Sequence, residues 1–352
     1  MTSHTKNNLI TNDEIIDALR VTAKFHITKN EIFRLKKLLM LPEMFLDKIL
    51  TQNHLQLLFL KHIEENCLSD EWDKSIHLKY SNRLFRLQYE YKEYQDELKK
   101  ILACFNELGI KYAILKGIII GNSLFCKNNI LYRTFSDVDI LIKEDDINIV
   151  HNALTNCGYV QGKLINAKIQ SATKREILFW RLNSHQLHEY IKRSIYSDIS
   201  SMYMLNVDIN ITIFEGGIRT PPISTSELLN HVCENNINGL KMQCLEPTYN
   251  LLQLCYHFYK DIHYEIKRLN HQNFTLKKFC DIREFICKYR EIINWTELFE
   301  ISKEQKISSI LYDVLSMISI FYGDLKIENH LAMFDDRKTK HKVQYDWAKM
   351  FI

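Results

Sequence analysis

Residues 114–142 read ILKGIIIGNSLFCKNNILYRTFSDVDILI, and this stretch decides the fold that we predict for the chain. The segment KYAILKG, residues 111–117, is a short apolar run that ends at a glycine, which is typical of a β-strand entering a turn. IIIGNSLFCK, residues 118–127, is predicted to be a short helix, and residues 136–142, SDVDILI, are predicted to be a strand. The succession of strand, turn, helix and strand indicates a unit that mixes helices with a sheet.

A second strand is predicted at residues 204–214, MLNVDINITIF, because apolar and polar residues alternate strictly there. Its apolar face carries only Val and Ile, and its polar face carries Asp208. Asp137 and Asp139 are two positions apart on the first strand, so their side chains are expected to point to one side of it. We therefore expect all three acids on the polar face of one small sheet.

Helical periodicity dominates the chain on both sides of this unit. Residues 74–108 show one long apolar stripe, and Gly109 is a typical helix end. From residue 224 onward, further segments have apolar residues at three- and four-residue spacing. We predict an α+β fold with a small mixed β-sheet core at 109–222, an N-terminal helical region at 1–108 and a C-terminal helical domain at 223–352.

Two smaller helices are predicted inside the core. Residues 145–158 form an amphipathic pattern in which Asp145 or Asp146 is expected to cap the helix and Gly158 to end it. A second helix is predicted over residues 167–181.

Composition and charge limit the classes of function. The 352 residues are 46% hydrophobic and 25% charged, as in ordinary soluble globular proteins, and the net charge of +3 is too small to favour nucleic acid as a partner without excluding it. Nine cysteines without a CxxC pair indicate free thiols in a reducing compartment. The polar start of the chain and the lack of a long apolar run predict a cytoplasmic protein with no membrane partner.

The acidic residues suggest metal chemistry. Two carboxylates held close together repel each other unless a cation neutralises them, and Mg²⁺ (or Mn²⁺) prefers oxygen ligands together with substrate phosphates. Asp137, Asp139 and Asp208 are therefore predicted to be both the metal ligands and the catalytic residues. A DxD pair alone more often belongs to a solvated turn, but the third acid and the glycine turn upstream favour the functional interpretation.

The Lys116–Gly117 turn is a candidate phosphate site. Glycine permits a tight turn and close approach of the backbone, and N–H groups at the start of the following helix can bind phosphate oxygens. Lys116 and Arg133 supply positive charge near that point, although Lys116 is equally consistent with a surface position.

The motif as a whole resembles a known family. LKG–x₁₄–YR–x₂–SDVDILI, followed by a helix and CGY, is similar to the uncharacterised nucleotidyltransferases of the DNA polymerase-β-like superfamily. The resemblance covers about residues 70–325. It implies that Asp137, Asp139 and Asp208 bind metal, that Lys116, Gly117 and Arg133 surround the triphosphate, and that Ser136 caps or orients the loop. Two residues after the third acid the family often has a histidine, whereas this chain has Asn210.

The resemblance implies transfer of a nucleoside monophosphate from an NTP, with ATP expected, to a hydroxyl, amine or phosphate acceptor. The acceptor could be a small molecule, a peptide or a protein. Two alternatives remain open: kinase-type phosphoryl transfer on the same scaffold, and a non-catalytic regulator or toxin–antitoxin partner. His188, His257 and Asp281 are further candidates for the site, although a histidine on an apolar helical face, such as His257, is more typical of a core.

Overall fold

A mixed β-sheet forms the centre of the computed structural model, which describes residues 10–198, 203–214, 223–263, 274–334 and 345–352. The strands in these ranges are β1 (Tyr112–Leu115), β2 (Cys126–Lys127), β3 (Ile130–Leu131), β4 (Val138–Ile142), β5 (Val160–Ile165), β6 (Lys168–Ser171), β7 (Tyr190–Arg193), β8 (Met204–Asn210), β9 (Val232–Ile237) and β10 (Leu240–Leu245). Eight of them pair in the order β6-β5-β7-β8-β4-β1-β10-β9, and β2 and β3 form a separate hairpin. β4 runs parallel to β8 and β1 parallel to β10, while the other neighbours are antiparallel.

Helices surround the sheet. In the described ranges they are α1 (Asn12–Thr22), α2 (Lys29–Leu35), α3 (Glu43–Gln52), α4 (Gln56–Glu65), α5 (Lys74–Glu107), α6 (Gly117–Phe125), α7 (Ile147–Asn156), α8 (Lys174–Asn183), α9 (Thr225–Leu228), α10 (Pro247–His263), α11 (Leu276–Tyr289), α12 (Trp295–Glu304), α13 (Ser308–Tyr322), α14 (Glu328–Phe334) and α15 (Trp347–Phe351). Short 3-10 helices cover Lys36–Met40, Ser69–Glu71 and Glu144–Asp146. The α+β fold class predicted from the sequence is confirmed.

The two faces of the sheet bury different cores. On β1, Tyr112 and Ile114 pack in a cluster with the apolar stripe of α5. Ala113 and Leu115 belong to the other cluster, which the N-terminal and C-terminal helices share. Side chains alternate along a strand, so a strand covered on both faces is apolar throughout. This double coverage explains the unbroken apolar runs in KYAIL and VDILI.

The helix α5 follows the predicted stripe over 34 residues. Asp73 caps its start by accepting hydrogen bonds from the backbone N–H groups of Ser75 and Ile76. The buried apolar residues of its second half are those that the periodicity marks, namely Leu87, Tyr91, Tyr94, Leu98, Ile101, Leu102 and Phe105. The helix ends before Gly109, which has φ = 68°. Leu108 was also assigned to the stripe, but its side chain is exposed because the helix has already ended there.

The structure corrects three local predictions. Residues 167–181 do not form one helix, since β6 occupies Lys168–Ser171 and α8 begins only at Lys174. The segment from 223, predicted to be helical, contributes the hairpin β9–β10 to one end of the sheet, which is therefore larger than predicted. Asp146 occupies the N-cap position of α7, as predicted, but its side chain makes no capping hydrogen bond. The domain boundaries remain a prediction.

The end of the chain docks onto the C-terminal helices. Phe351 in α15 is buried and stacks on Phe274, with an edge contact to Phe279. The charged residues just before it, 335–344, lie outside the described residues. No helix in the described ranges combines the length and apolar character needed to span a membrane.

Candidate active site

The turn between β1 and α6 brings a lysine and a glycine to the end of the central strands. Lys116 has φ = 37° and ψ = −131°, and a positive φ is rare for residues other than glycine. Such conformations cost about 1–3 kcal/mol and cluster at functional sites. At Gly117, a β-carbon would stand 3.2 Å from the backbone oxygen of Asp137. The glycine therefore allows this turn to pack closely against the segment that leads into β4.

Two of the predicted acids are direct neighbours in the sheet. Asp139 on β4 and Asp208 on β8 are paired residues of the parallel ladder, and both are buried. The residues that flank Asp139, Val138 and Ile140, belong to the core under α5. Because side chains alternate, the two carboxylates point to the opposite face of the sheet, where the terminal helices lie. This register puts Asp139 and Asp208 on one face of the sheet, as predicted, but it does not include Asp137, which precedes β4.

Asp137 lies immediately before β4 and shares the electrostatic environment of the other two acids. Burial, reinforced by the carboxylates of Asp139 and Asp137, raises the pKa of Asp208 to about 8. The pKa of Asp137 is also raised, first by burial and then by Asp139. The carboxylate of Asp139 therefore raises the pKa of both Asp137, two residues away in the sequence, and Asp208, on a distant strand segment.

A lysine and an amide contact the same oxygen of Asp139. Lys116 Nζ is 3.0 Å from Asp139 Oδ1, and Asn210 Nδ2 donates a hydrogen bond to that oxygen at 3.3 Å. Burial lowers the pKa of Lys116, but the carboxylates of Asp139 and Asp137 outweigh this effect and hold the pKa above its ordinary value. Lys116 is therefore charged, and it faces the acids rather than the surface.

The donor chemistry of the site suits a hard divalent cation. Asp208 Oδ2 accepts a long hydrogen bond of 3.5 Å from Gln186 Nε2. Its other oxygen, Oδ1, is buried and has no hydrogen-bond partner in the described part of the chain. An orphaned carboxylate oxygen beside two further acids provides ligands that Mg²⁺ prefers. In the described ranges, however, no three His, Cys, Asp or Glu side chains are already grouped closely enough to hold a metal ion.

Arg133 donates hydrogen bonds to the protein through all three of its guanidinium nitrogens. Its Nε and Nη2 donate to the two carboxylate oxygens of Asp281, each at 2.7 Å, and its Nη1 donates to the backbone oxygen of Gly117 at 3.0 Å. This buried bidentate pair fastens α11 to the turn after β1. Asp281 lies inside α11, and its ion pair with Arg133 places it in the lining of the site. A contact between Arg133 and a triphosphate remains a prediction.

Ser136 is exposed at the rim of the site. Its backbone oxygen accepts a hydrogen bond of 2.8 Å from the hydroxyl group of Tyr94 on α5. The same hydroxyl oxygen accepts a hydrogen bond of 3.1 Å from the backbone N–H of Asn206 on β8. Tyr94 thus ties the loop before β4 to the neighbouring strand, a role that its place in the packing stripe did not reveal.

The helices α10 and α11 bring Asp261, Lys277 and Lys278, which the sequence analysis did not single out, beside the candidate His257. His257 Nδ1 is 3.4 Å from Asp261 Oδ2, and Lys278 forms an ion pair with the same carboxylate. Burial and the charges of Lys116 and Lys260 hold the pKa of His257 well below its usual range, so the ring is neutral. Lys277 and Lys278 follow each other at the start of α11. The segment LKK, residues 276–278, which begins the helix that carries Asp281, was the available sequence signal.

His188 is placed differently from His257. It is buried, its Nδ1 is 3.4 Å from the backbone oxygen of Glu189, and Trp180 contacts its ring edge to face. It does not line the cavity that contains the acids, at least as far as the described residues define that cavity. Its environment is that of a packing residue.

A cavity of about 370 Å³ joins Asp137, Asp139 and Lys116 to residues of α10 and α11, whereas Asp208 is not among the described residues that line it. One side carries Asp137 and Asp139, and the other carries cationic residues of α11. Its lining consists of His54, Lys116, Gly117, Arg133, Phe135, Ser136, Asp137, Asp139, Leu254, His257, Phe258, Asp261, Thr275, Lys277, Lys278, Asp281 and Ile282. Opposed carboxylates and ammonium groups in a concave site are suited to binding a metal–phosphate group.

Comparison with known proteins places the chain in a family. Residues 45–323 match the family model described as uncharacterised nucleotidyltransferase. Among solved structures, the chain is similar to an antigenic nucleotidyltransferase-like protein from Paracoccidioides brasiliensis, with 16% identity, a TM-score of 0.33, and coverage of 68% of this chain and 93% of that one. No curated protein matches at a significant level. Because the family model spans most of the sequence, this chain belongs to the uncharacterised nucleotidyltransferase family.

Proposed function

We propose that this protein transfers a nucleoside monophosphate from an NTP, with ATP expected, to a hydroxyl, amine or phosphate acceptor. The acceptor would be a small molecule, a peptide or a protein. The observation that carries the proposal is the in-register pair of Asp139 and Asp208, with Asp137 and Lys116 beside it, in a chain of this family.

In such a reaction an acceptor oxygen or nitrogen attacks the α-phosphorus of the NTP. The bond between the α-phosphorus and the oxygen that bridges to the β-phosphate breaks, and pyrophosphate leaves with that electron pair. The acceptor loses its proton during the attack. The protein must therefore neutralise the triphosphate, align the acceptor and receive a proton.

Asp137, Asp139 and Asp208 are the residues that would hold Mg²⁺ or Mn²⁺. Divalent cations at such carboxylates supply neutralising charge to the transferring phosphoryl group and to its leaving group. The raised pKa values of Asp137 and Asp208 support this assignment. They indicate that the positive charge near these carboxylates is too small to stabilise their ionised forms.

The remaining residues have roles that follow from their chemistry. Lys116 and Lys278 would attract the phosphate oxygens, and the N–H groups at the start of α6 would donate hydrogen bonds to them. Leu254, Phe258 and Ile282 present apolar surface that would exclude water from the reacting groups. Asp208, once deprotonated, is the residue that we assign to receive the acceptor's proton, through the carboxylate oxygen that does not hold the metal.

The test uses the purified full-length protein. It is incubated with each of the four NTPs and Mg²⁺ or Mn²⁺, pyrophosphate is measured, and candidate acceptors are examined by mass spectrometry. Pyrophosphate release together with addition of a nucleotide mass would support the proposal, and Asp139→Asn should abolish both signals. Transfer of a single phosphoryl group, or NTP turnover that survives Asp139→Asn, would overturn it.

A further inference from the structure

A second cavity, of about 650 Å³, adjoins the candidate active site. It lies between α5 and the residues around the α3–α4 connection. Its lining consists of Thr51, His54, Gln56, Leu57, Lys79, Tyr80, Asn82, Arg83, Arg86, Thr134, Phe135, Ser136 and Lys277. Four of these residues, His54, Phe135, Ser136 and Lys277, also line the cavity that contains the acids. The two cavities therefore meet along the loop that leads into β4.

One face of α5 gives this second cavity its charge. Lys79, Asn82, Arg83 and Arg86 are spaced by three and four residues, so they lie along one side of the helix. Lys277 approaches from α11. Among the described residues that line the cavity there are four lysine or arginine side chains and no aspartate or glutamate.

Two of these four cations are compensated by acids outside the lining. Lys79 Nζ is 2.7 Å from Asp47 Oδ2, and Arg83 Nη1 is 2.9 Å from Glu90 Oε2. Arg86 and Lys277 make no ion pair within the part of the chain that the structure describes. The excess of positive charge in the cavity is thus located on Arg86 and Lys277.

The surroundings of Lys277 disfavour the protonated form of its side chain. Burial and the nearby guanidinium of Arg133 lower its pKa to about 7, although Asp281 and Asp137 partly oppose this effect. A bound anion would relieve the repulsion among these cations. Leu57, Tyr80 and Phe135 add apolar surface for the remainder of a small molecule.

We propose that this second cavity binds the acceptor substrate through an anionic group, either a phosphate monoester or a carboxylate, held by Arg86 and Lys277. The inference rests on the proposed nucleotidyl transfer, because that reaction requires an acceptor substrate to bind next to the NTP. The anion is held in the second cavity, and the acceptor's reactive group extends past Ser136 toward the acids. The planar guanidinium of Arg86 suits both oxyanions, since it can donate two parallel hydrogen bonds.

The experiment compares wild-type protein with Arg86→Gln and Arg86→Glu. Lys168→Glu, a charge reversal at an exposed position on the edge strand β6, is the matched control. Isothermal titration calorimetry measures binding of inorganic phosphate and of acetate, each with and without a saturating non-hydrolysable ATP analogue. The two anions distinguish a phosphate-bearing from a carboxylate-bearing acceptor. ATP-analogue affinity is measured separately for every variant.

We expect one of the two anions to bind in the presence of the analogue, and Arg86→Glu to weaken that binding about tenfold or more. Arg86→Gln should weaken it less, Lys168→Glu should leave it unchanged, and all variants should keep wild-type affinity for the analogue. Three results would overturn the proposal: no anion binding beside the analogue, an equal loss of analogue affinity in Arg86→Glu, or Arg86-dependent binding of a single-stranded RNA far tighter than that of either anion. If the proposed function fails instead, the wild-type protein will not bind the analogue, while anion binding will still depend on Arg86.

Discussion

Asp139 and Asp208 are paired across adjacent parallel strands and buried on the same side of the sheet. Among the described residues Lys116 forms an ion pair with Asp139, and Asp208 has no ion-pair partner. Two neighbouring carboxylates in a buried place destabilise each other's charged form. A fold does not need such a pair for its stability, because apolar residues at these positions would pack without repulsion. The pair is therefore best explained by the positive charge that it is able to bind.

Asp139→Asn should reduce turnover by about 10³-fold or more if the carboxylate is a metal ligand, because the amide keeps the shape and loses the charge. Folding should change little, since the hydrogen bond from Asn210 can be kept by the amide oxygen. Initial rates of pyrophosphate release and the thermal midpoint test both statements. Asp145→Asn, in the exposed 3-10 turn after β4, is the control. A normal rate in Asp139→Asn would remove the metal assignment.

Two substitutions of Lys116 distinguish the effect of its charge from the effect of its strained backbone conformation. Lys116→Ala removes the ammonium and keeps a side chain at φ = 37°, whereas Lys116→Gly removes both the charge and the strain. We expect the glycine variant to be more stable than the alanine variant by about 1 kcal/mol in urea denaturation. Both variants should bind NTP more weakly and acceptor about normally. Equal stabilities would show that the turn is not strained.

The local sequence pattern predicts the strands and the turn that carry the acids and Lys116, but it does not predict the contacts that the helices make around them. β1, α6, β4 and β8 follow from apolar runs, a glycine turn and strict alternation, which are local signals. The Arg133–Asp281 pair joins residues 148 positions apart, and no local pattern specifies such a contact. The second cavity depends in the same way on how α5 and α11 pack together.

The hairpin β9–β10 had a sequence signal that periodicity alone did not reveal. Asn238 and Gly239 connect the strands with φ values of 51° and 84°, which are typical of a type I′ turn. The dipeptide Asn-Gly is the usual signature of that turn. The strand β9 reads VCENNI, and its polar residues obscure the alternation because it lies at the edge of the sheet.

Asp208 should make the stability of the metal-free protein depend on pH. Its pKa is about 8 in the folded protein and near 3.8 when unperturbed, so between these values the folded state binds more protons than the unfolded state. The free energy of unfolding therefore falls as the pH rises through this window. Thermal midpoints of wild-type protein in EDTA should fall more steeply between about pH 5 and about pH 8 than those of Asp208→Asn. Parallel curves for the two proteins would contradict the raised pKa.

The Arg133–Asp281 pair should matter for folding more than for nucleotide binding. Asp281→Asn leaves a buried guanidinium without its carboxylate, and we expect a loss of about 3–5 kcal/mol in the free energy of unfolding. The double variant Arg133→Met with Asp281→Leu should lose much less, since no unpaired charge remains. Asp346→Asn, which breaks an exposed pair with Lys349, should have little effect. If the double variant instead is stable but fails to bind NTP, Arg133 contacts the triphosphate.

Asn210 should contribute to turnover by positioning Asp139. Its Nδ2 donates to Asp139 Oδ1 at 3.3 Å and to the backbone oxygen of Asp208 at 3.2 Å, so the amide links the two strands at the site. Asn210→Ala leaves Asp139 with Lys116 as its contact, and we expect a fall in kcat of about tenfold with an unchanged KM for NTP. Asn210→His, which restores the residue common in the family, should recover much of the rate because an imidazole N–H can donate to the same oxygen. A fall in kcat of the size seen for Asp139→Asn would mean that Asn210 itself touches the reacting groups. No change in kcat would mean that Lys116 alone holds Asp139 in place.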